Sequence, residues 1–145
     1  MLGYGYDNSL EHEVMSASPA RLVQMLYRGA LDAVGAARAH LWAGEITERS
    51  RQITRAQMIL AELTASLDVE KGGDVAWNLG RLYDYMMARL AEANYRQAEE
   101  PLADVARILS ELAESWEEID PEREWTPFGA QMAPQASDFI CECVG

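Results

Sequence analysis

The chain has 145 residues, 49% of them hydrophobic, with 24 acidic side chains against 12 basic ones. That is enough chain for one domain with a real core, and enough apolar content to exclude global disorder. The net charge of −12 excludes nucleic acid as a partner, because phosphate recognition rests on basic patches, and it argues equally against an anionic membrane surface.

The amino-terminal residues 1–17 hold Tyr4, Tyr6, Val14 and Met15 among polar neighbours, too few apolar groups to nucleate a helix, and read as an irregular arm. Ser18 suits an N-cap and Pro19 the first helical position. From there an inner stripe of Leu22, Leu26, Ala30, Ala33, Ala37 and Leu41 runs to Gly44, which ends the helix. A second helix opens near Glu45–Glu48 and carries Ile53, Ala56, Leu60, Leu63 and Leu67 as its seam. Asp68 to Asp74 read as a turn, because consecutive glycines at 72 and 73 hold no helix.

The third helix should bury Val75, Leu79, Leu82, Met86, Leu90 and Ala93. Glu99-Glu100-Pro101 marks a fourth start, followed by Leu102, Val105, Leu109, Leu112 and Trp116, with a stop before Pro121. No strand alternation and no internal repeat occur. The fold class is therefore all-α: an antiparallel four-helix bundle over 18–120, flanked by the arm and by an acidic irregular tail, 121–145. From Ser110 onward nine acids stand against one base, and that charge reads as a solubility device.

Tests for chemistry find little. A di-iron bundle needs Glu-x-x-His pairs, and neither His12 nor His40 follows a glutamate by three. Cys141-x-Cys143 lacks the second ligand pair that structural zinc requires. Gly72-Gly73 lacks the lysine and hydroxyl of a phosphate loop. The expectation is no enzyme, no cofactor and no metal. No apolar run approaches the roughly 20 residues of a membrane span and no signal peptide is evident, so the expected location is the cytosol, without membrane insertion.

What the bundle leaves over is more informative. Val23, Tyr27, Leu31 and Val34 form a second apolar stripe on the first helix, giving an arc wider than a surface helix needs. Two readings stand: a helix contacted from two sides within its own bundle, or a groove for a partner helix. On the third helix Trp77 falls opposite the core stripe with Arg81 and Asp84, while Tyr85 lies on the flank; both aromatics suit interface anchors. Met25, Met58, Met86 and Met87 suit either an adaptable surface or core filling.

Two stretches carry a resemblance. Ser18-Pro19-x-x-Leu22-Val23-x-Met25-Leu26-Tyr27-x-Gly29-Ala30 is followed by Ser66-Leu67-Asp68, Gly72-Gly73, Asn78-Leu79, Leu82-Tyr83 and Ala93-Asn94. Together they resemble the flagellar secretion chaperone family FliS, over roughly residues 6–116. The resemblance implies an antiparallel four-helix bundle that binds the disordered carboxyl-terminal segment of flagellin in the bacterial cytoplasm, prevents its premature polymerisation and assists its delivery to the flagellar type III export gate. It also implies that the tyrosine arm, matched here best by Tyr6 with Tyr4 as the alternative, lies over part of the binding cleft. Where the family reads Met-Leu-Tyr-Asp-Gly-Ala this chain has Arg28, which reverses one charge beside the expected groove. The candidate partner-binding set is Tyr6, Val23, Met25, Tyr27, Leu31, Val34, Trp77, Asn78, Tyr83 and Tyr85. The alternative function is a helical regulatory adaptor that sequesters another disordered protein, such as an anti-sigma factor.

Overall fold

A computed structural model describes residues 19–118, and in them four helices and no strand. They are α1 (Pro19–Ala43), α2 (Ile46–Ala65), α3 (Val69–Arg96) and α4 (Glu100–Glu117). Connections of two or three residues force successive helices to run antiparallel. The packing is a closed ring: α1 and α3 each lie against both α2 and α4, and Tyr27 and Tyr83 meet across the α1–α3 diagonal.

The ends explain themselves locally. Gly44 takes φ 75°, and the bonds Glu45 N–H to His40 O (2.9 Å) and Gly44 N–H to Leu41 O (3.2 Å) complete a Schellman motif that satisfies the last carbonyls of α1. At the far end of α3 the same left-handed position is filled by Gln97 (φ 54°), with Ala98 N–H bonding Ala93 O at 3.2 Å. Arg49 of α2, buried at 4% exposure, also covers this end: its Nη2 donates to Asn94 O at 3.3 Å, and its Nε to Asn94 Oδ1 at 3.2 Å. An arginine aimed at orphan carbonyls of a helix carboxyl end is favoured by charge as well as by geometry.

The segment 68–74, expected as a turn, is helical for its first part. Asp68 caps it by accepting from Lys71 N–H at 3.1 Å, and Gly72 N–H reaches Asp68 O at 2.7 Å. The break falls at one residue, Gly73, whose φ of 56° and ψ of −132° are open to glycine and strained for other residues. A capping aspartate four residues upstream is enough to wind one turn before the glycine pair interrupts it.

The core follows the expected seams on three helices, except that Leu67 and Val75 at their ends are only half-buried. Ile53, Ala56, Leu60 and Leu63 are buried on α2; Leu79, Leu82, Met86, Leu90 and Ala93 on α3; and Leu102, Val105, Leu109, Leu112 and Trp116 on α4. On α1 the face is turned by one residue. Ala20, Val23, Gln24, Tyr27, Ala30, Ala33, Val34 and Ala37 are buried, while Leu22, Leu26, Leu31 and Leu41 are half-buried at the edges. The wide apolar arc of α1 is thus explained by contact from α2 on one side and α4 on the other. Small residues let α1 and α2 approach closely; a Cβ at Gly29 would stand 3.3 Å from Ile59 Cδ1.

Candidate partner-binding site

Burial sorts the sequence-derived candidates. Val23, Tyr27, Val34 and Tyr83 are buried, three of them at 0% exposure. All four face the bundle interior: Val23, Tyr27 and Val34 of α1 pack toward its neighbours, and Tyr83 of α3 meets Tyr27. Met25, Leu31 and Asn78 are half-buried, and Trp77 and Tyr85 are exposed at 54% and 47%. Tyr6 lies outside the described residues, as do the arm, the tail after 118 and both cysteines.

Tyr27 and Tyr83 meet across the bundle axis, hydroxyl to hydroxyl at 2.6 Å. The Tyr27 ring lies 6.3 Å from that of Trp116, tilted by 46°, and Gln24 Nε2 donates to Trp116 O at 2.9 Å. Burial pushes both phenols far above their ordinary range. These hydroxyls stay protonated at any physiological pH, with no base beside them. They join helices; they do not react.

On the outside, Arg81 stacks over the Trp77 indole with its guanidinium carbon 4.9 Å from the ring centroid, a cation–π contact one turn along α3. Tyr85 is engaged as well: its hydroxyl donates to Asp104 Oδ2 at 2.6 Å, and Arg89 Nε reaches the same oxygen at 3.1 Å. Partial burial alone would raise the Asp104 carboxyl, but the bonds from Tyr85, Arg107 and Arg89 outweigh it and hold the group below the usual carboxylate range. This cluster ties α3 to α4. Arg28 pairs with Glu117 at 2.5 Å with both side chains largely exposed, a surface contact of small energetic value that turns its charge toward α4.

An open, shallow groove of about 870 Å³ lies on the outer face of α2, lined by Thr47, Ser50, Arg51, Thr54, Arg55, Met58, Ile59, Ala61 and Glu62. These positions recur at three- and four-residue spacing on the side away from the Ile53–Leu60 seam, so one helix supplies them all. Thr47, Ser50, Thr54 and Ala61 are short and keep the floor low; Met58 stands in it at 65% exposure. From Thr47 to Glu62 the helix rises about 22 Å, room for roughly four turns of a second helix. A deformable thioether and a low floor suit an apolar helical ligand rather than a reacting one. Among the described residues no group of three metal-ligating side chains stands together, and no helix is long and apolar enough to cross a membrane.

The sequence offered a groove on α1 as one of two readings and named Met58 only as suited to an adaptable surface or to core filling, so it did not single out this face of α2. The available signal was the run of short residues at 47, 50, 54 and 61 around Met58, on a helix whose regular seam drew attention to its other side.

Comparison with known proteins agrees with this architecture. The family model for the flagellar protein FliS matches residues 3–123. The flagellar secretion chaperone FliS of Salmonella typhimurium is 43% identical over 114 residues, covering 78% of this chain and 84% of the relative. FliSB of Pseudomonas aeruginosa is 40% identical over 111 residues (77% and 88%), and FliS of Vibrio cholerae 34% over 114 (79% and 84%). That family is one of chaperones, which is not an enzyme class. A four-helix bundle with a groove and no reactive constellation among its described residues, matched over most of its length, belongs to the FliS family of flagellar secretion chaperones.

Proposed function

We propose that the chain holds the disordered carboxyl-terminal segment of flagellin in the cytosol, prevents its premature polymerisation and assists its delivery to the flagellar type III export apparatus. The observation that carries this reading is the α2 groove, with Met58 exposed on a floor of short side chains. The segment gains helix as it lies along α2, burying apolar area and giving a negative heat-capacity change. Trp77, Tyr85 and the half-buried Met25, Leu31 and Asn78 are secondary contacts along its path.

Titration calorimetry with full-length flagellin, and with flagellin lacking its carboxyl-terminal segment, tests the reading. The full-length protein should bind one to one and the truncated one should not. Met58→Asp should weaken binding by about 2 kcal/mol, roughly thirtyfold, with an unchanged melt. No heat with full-length flagellin, together with binding to an anti-sigma factor, would turn the reading to the regulatory adaptor.

A further inference from the structure

Arg55 is an anomaly in a chain with twice as many acids as bases. Arg28, Arg38, Arg51 and Arg89 each hold a carboxylate, Arg49 holds Asn94, and Arg81 covers an indole. Arg55 has no ion pair, hydrogen bond or ring contact among the described residues, although it is exposed on a protein rich in carboxylates. The cause lies in its own helix. Positions three and four residues away hold Arg51, Gln52, Met58 and Ile59, so no acid stands within intrahelical reach. Arg51, one turn earlier, has Glu48 at 3.0 Å.

Both arginines line the groove, about 6 Å apart along the helix, while Glu62 lies roughly 10 Å beyond Arg55 at the other end. The groove is thus cationic in its amino-terminal half and anionic at its carboxyl-terminal limit. Lys71, the other cation without a side-chain partner among the described residues, sits on the first turn of α3 and does not line the groove. A floor of short side chains edged by an unpaired guanidinium fits an occupant that brings its own carboxylates.

Building on the flagellin reading, we propose that Arg55, with Arg51 beside it, selects the charge and orientation of the docked segment: an amphipathic helix carrying carboxylates, spaced three or four residues apart, along the edge that meets the amino-terminal half of α2. Complementary charge of this kind speeds encounter, rejects segments with the opposite sign and fixes register.

The test uses the full chain and two probes: the carboxyl-terminal peptide of flagellin, and the same peptide with every Asp and Glu changed to Asn and Gln. Arg55→Glu should fold like the wild type, since Arg55 has no partner to lose and glutamate is a good helix former. It should bind the natural peptide at least tenfold more weakly at low salt, with the difference shrinking at high salt. The amide peptide should bind the wild type about tenfold more weakly, and Arg55→Glu should weaken it no further, the signature of a coupled pair. If Arg55→Glu binds both peptides like the wild type while Met58→Asp abolishes binding, the groove reading stands and charge selection falls. If neither substitution matters, both fall. If sedimentation shows that Arg55→Glu alters self-association without altering peptide affinity, Arg55 meets a second copy of the chain, and the proposal is overturned.

Discussion

The middle of this bundle and its outer surface invert the usual distribution of chemistry. The interior holds two phenol hydroxyls, a glutamine amide and a guanidinium, while the outer surface shows Met58, Trp77, Trp42 at 80% exposure and Tyr95 at 76%. The interior polar groups are there because each has a partner fixed by another helix: Tyr27 with Tyr83, Gln24 with Trp116 O, Arg49 with Asn94. Of the outer groups, Trp77 is covered by Arg81 of its own helix, and none is held by a bond from another helix among the described residues. What decides the location of a side chain here is whether its bonding needs are met, and hydropathy alone ranks Tyr27 and Met58 the wrong way round.

The largest test of that contrast is Tyr27→Ala. At 0% exposure and in contact with Tyr83 and Trp116, the ring leaves a cavity and strands a buried hydroxyl. The expected cost is about 3–5 kcal/mol of stability, or upward of roughly 12 °C in melting temperature for a domain of this size. Affinity for flagellin, corrected for the folded fraction, should stay the same. A variant that melts like the wild type but loses binding would move Tyr27 from the core to the interface and erase the contrast.

A pH titration sharpens the comparison from the inside. Tyr27 and Tyr83 ionise in the folded state far above the unfolded value near 10, so their contribution is present in full below pH 10 and is lost as pH rises beyond it. Stability measured by urea should be level from pH 7 to 9 and then fall by about 1.4 kcal/mol per pH unit for each of the two phenols. The double substitution Tyr27→Phe with Tyr83→Phe removes both partners together, and should remain within about 1 kcal/mol of the wild type at pH 7 while flattening the alkaline slope. An unchanged slope in the double variant would assign the alkaline loss to other groups.

Much of this was legible in the residues. Gly44 and the Ile53–Leu63 seam announced their helix end and their face correctly, because local backbone preference and periodicity act within a few residues. The inner face of α1 was misjudged by one position, because alanines and leucines on adjacent stripes are equally apolar. Only the two-sided packing against α2 and α4 decides which stripe is central. The groove was hidden for the opposite reason: its concavity comes from side chains that are short, and shortness at Thr54 and Ala61 carries no periodic hydrophobic signal. The turn at 68–74 was half hidden, since the Asp68 cap and the Gly73 break compete within six residues.

The smallest effect lies where inside and outside meet. Gln52 sits on α2 three residues before Arg55, and its side-chain oxygen is buried with no hydrogen-bond partner among the described residues. Unlike Gln24, it pays for desolvation without a bond in return. Gln52→Met keeps the length and helix propensity of the side chain and removes the unsatisfied acceptor, so stability should be unchanged or rise by up to about 1 kcal/mol. Urea unfolding resolves a change of that size. A loss of more than about 1 kcal/mol would mean that the oxygen is satisfied in solution, and that Gln52 belongs with Gln24 and Arg49 among the partnered polar groups of the interior. If stability holds and flagellin affinity drops, the amide reaches the bound segment, and the boundary of the groove extends one residue further toward α1.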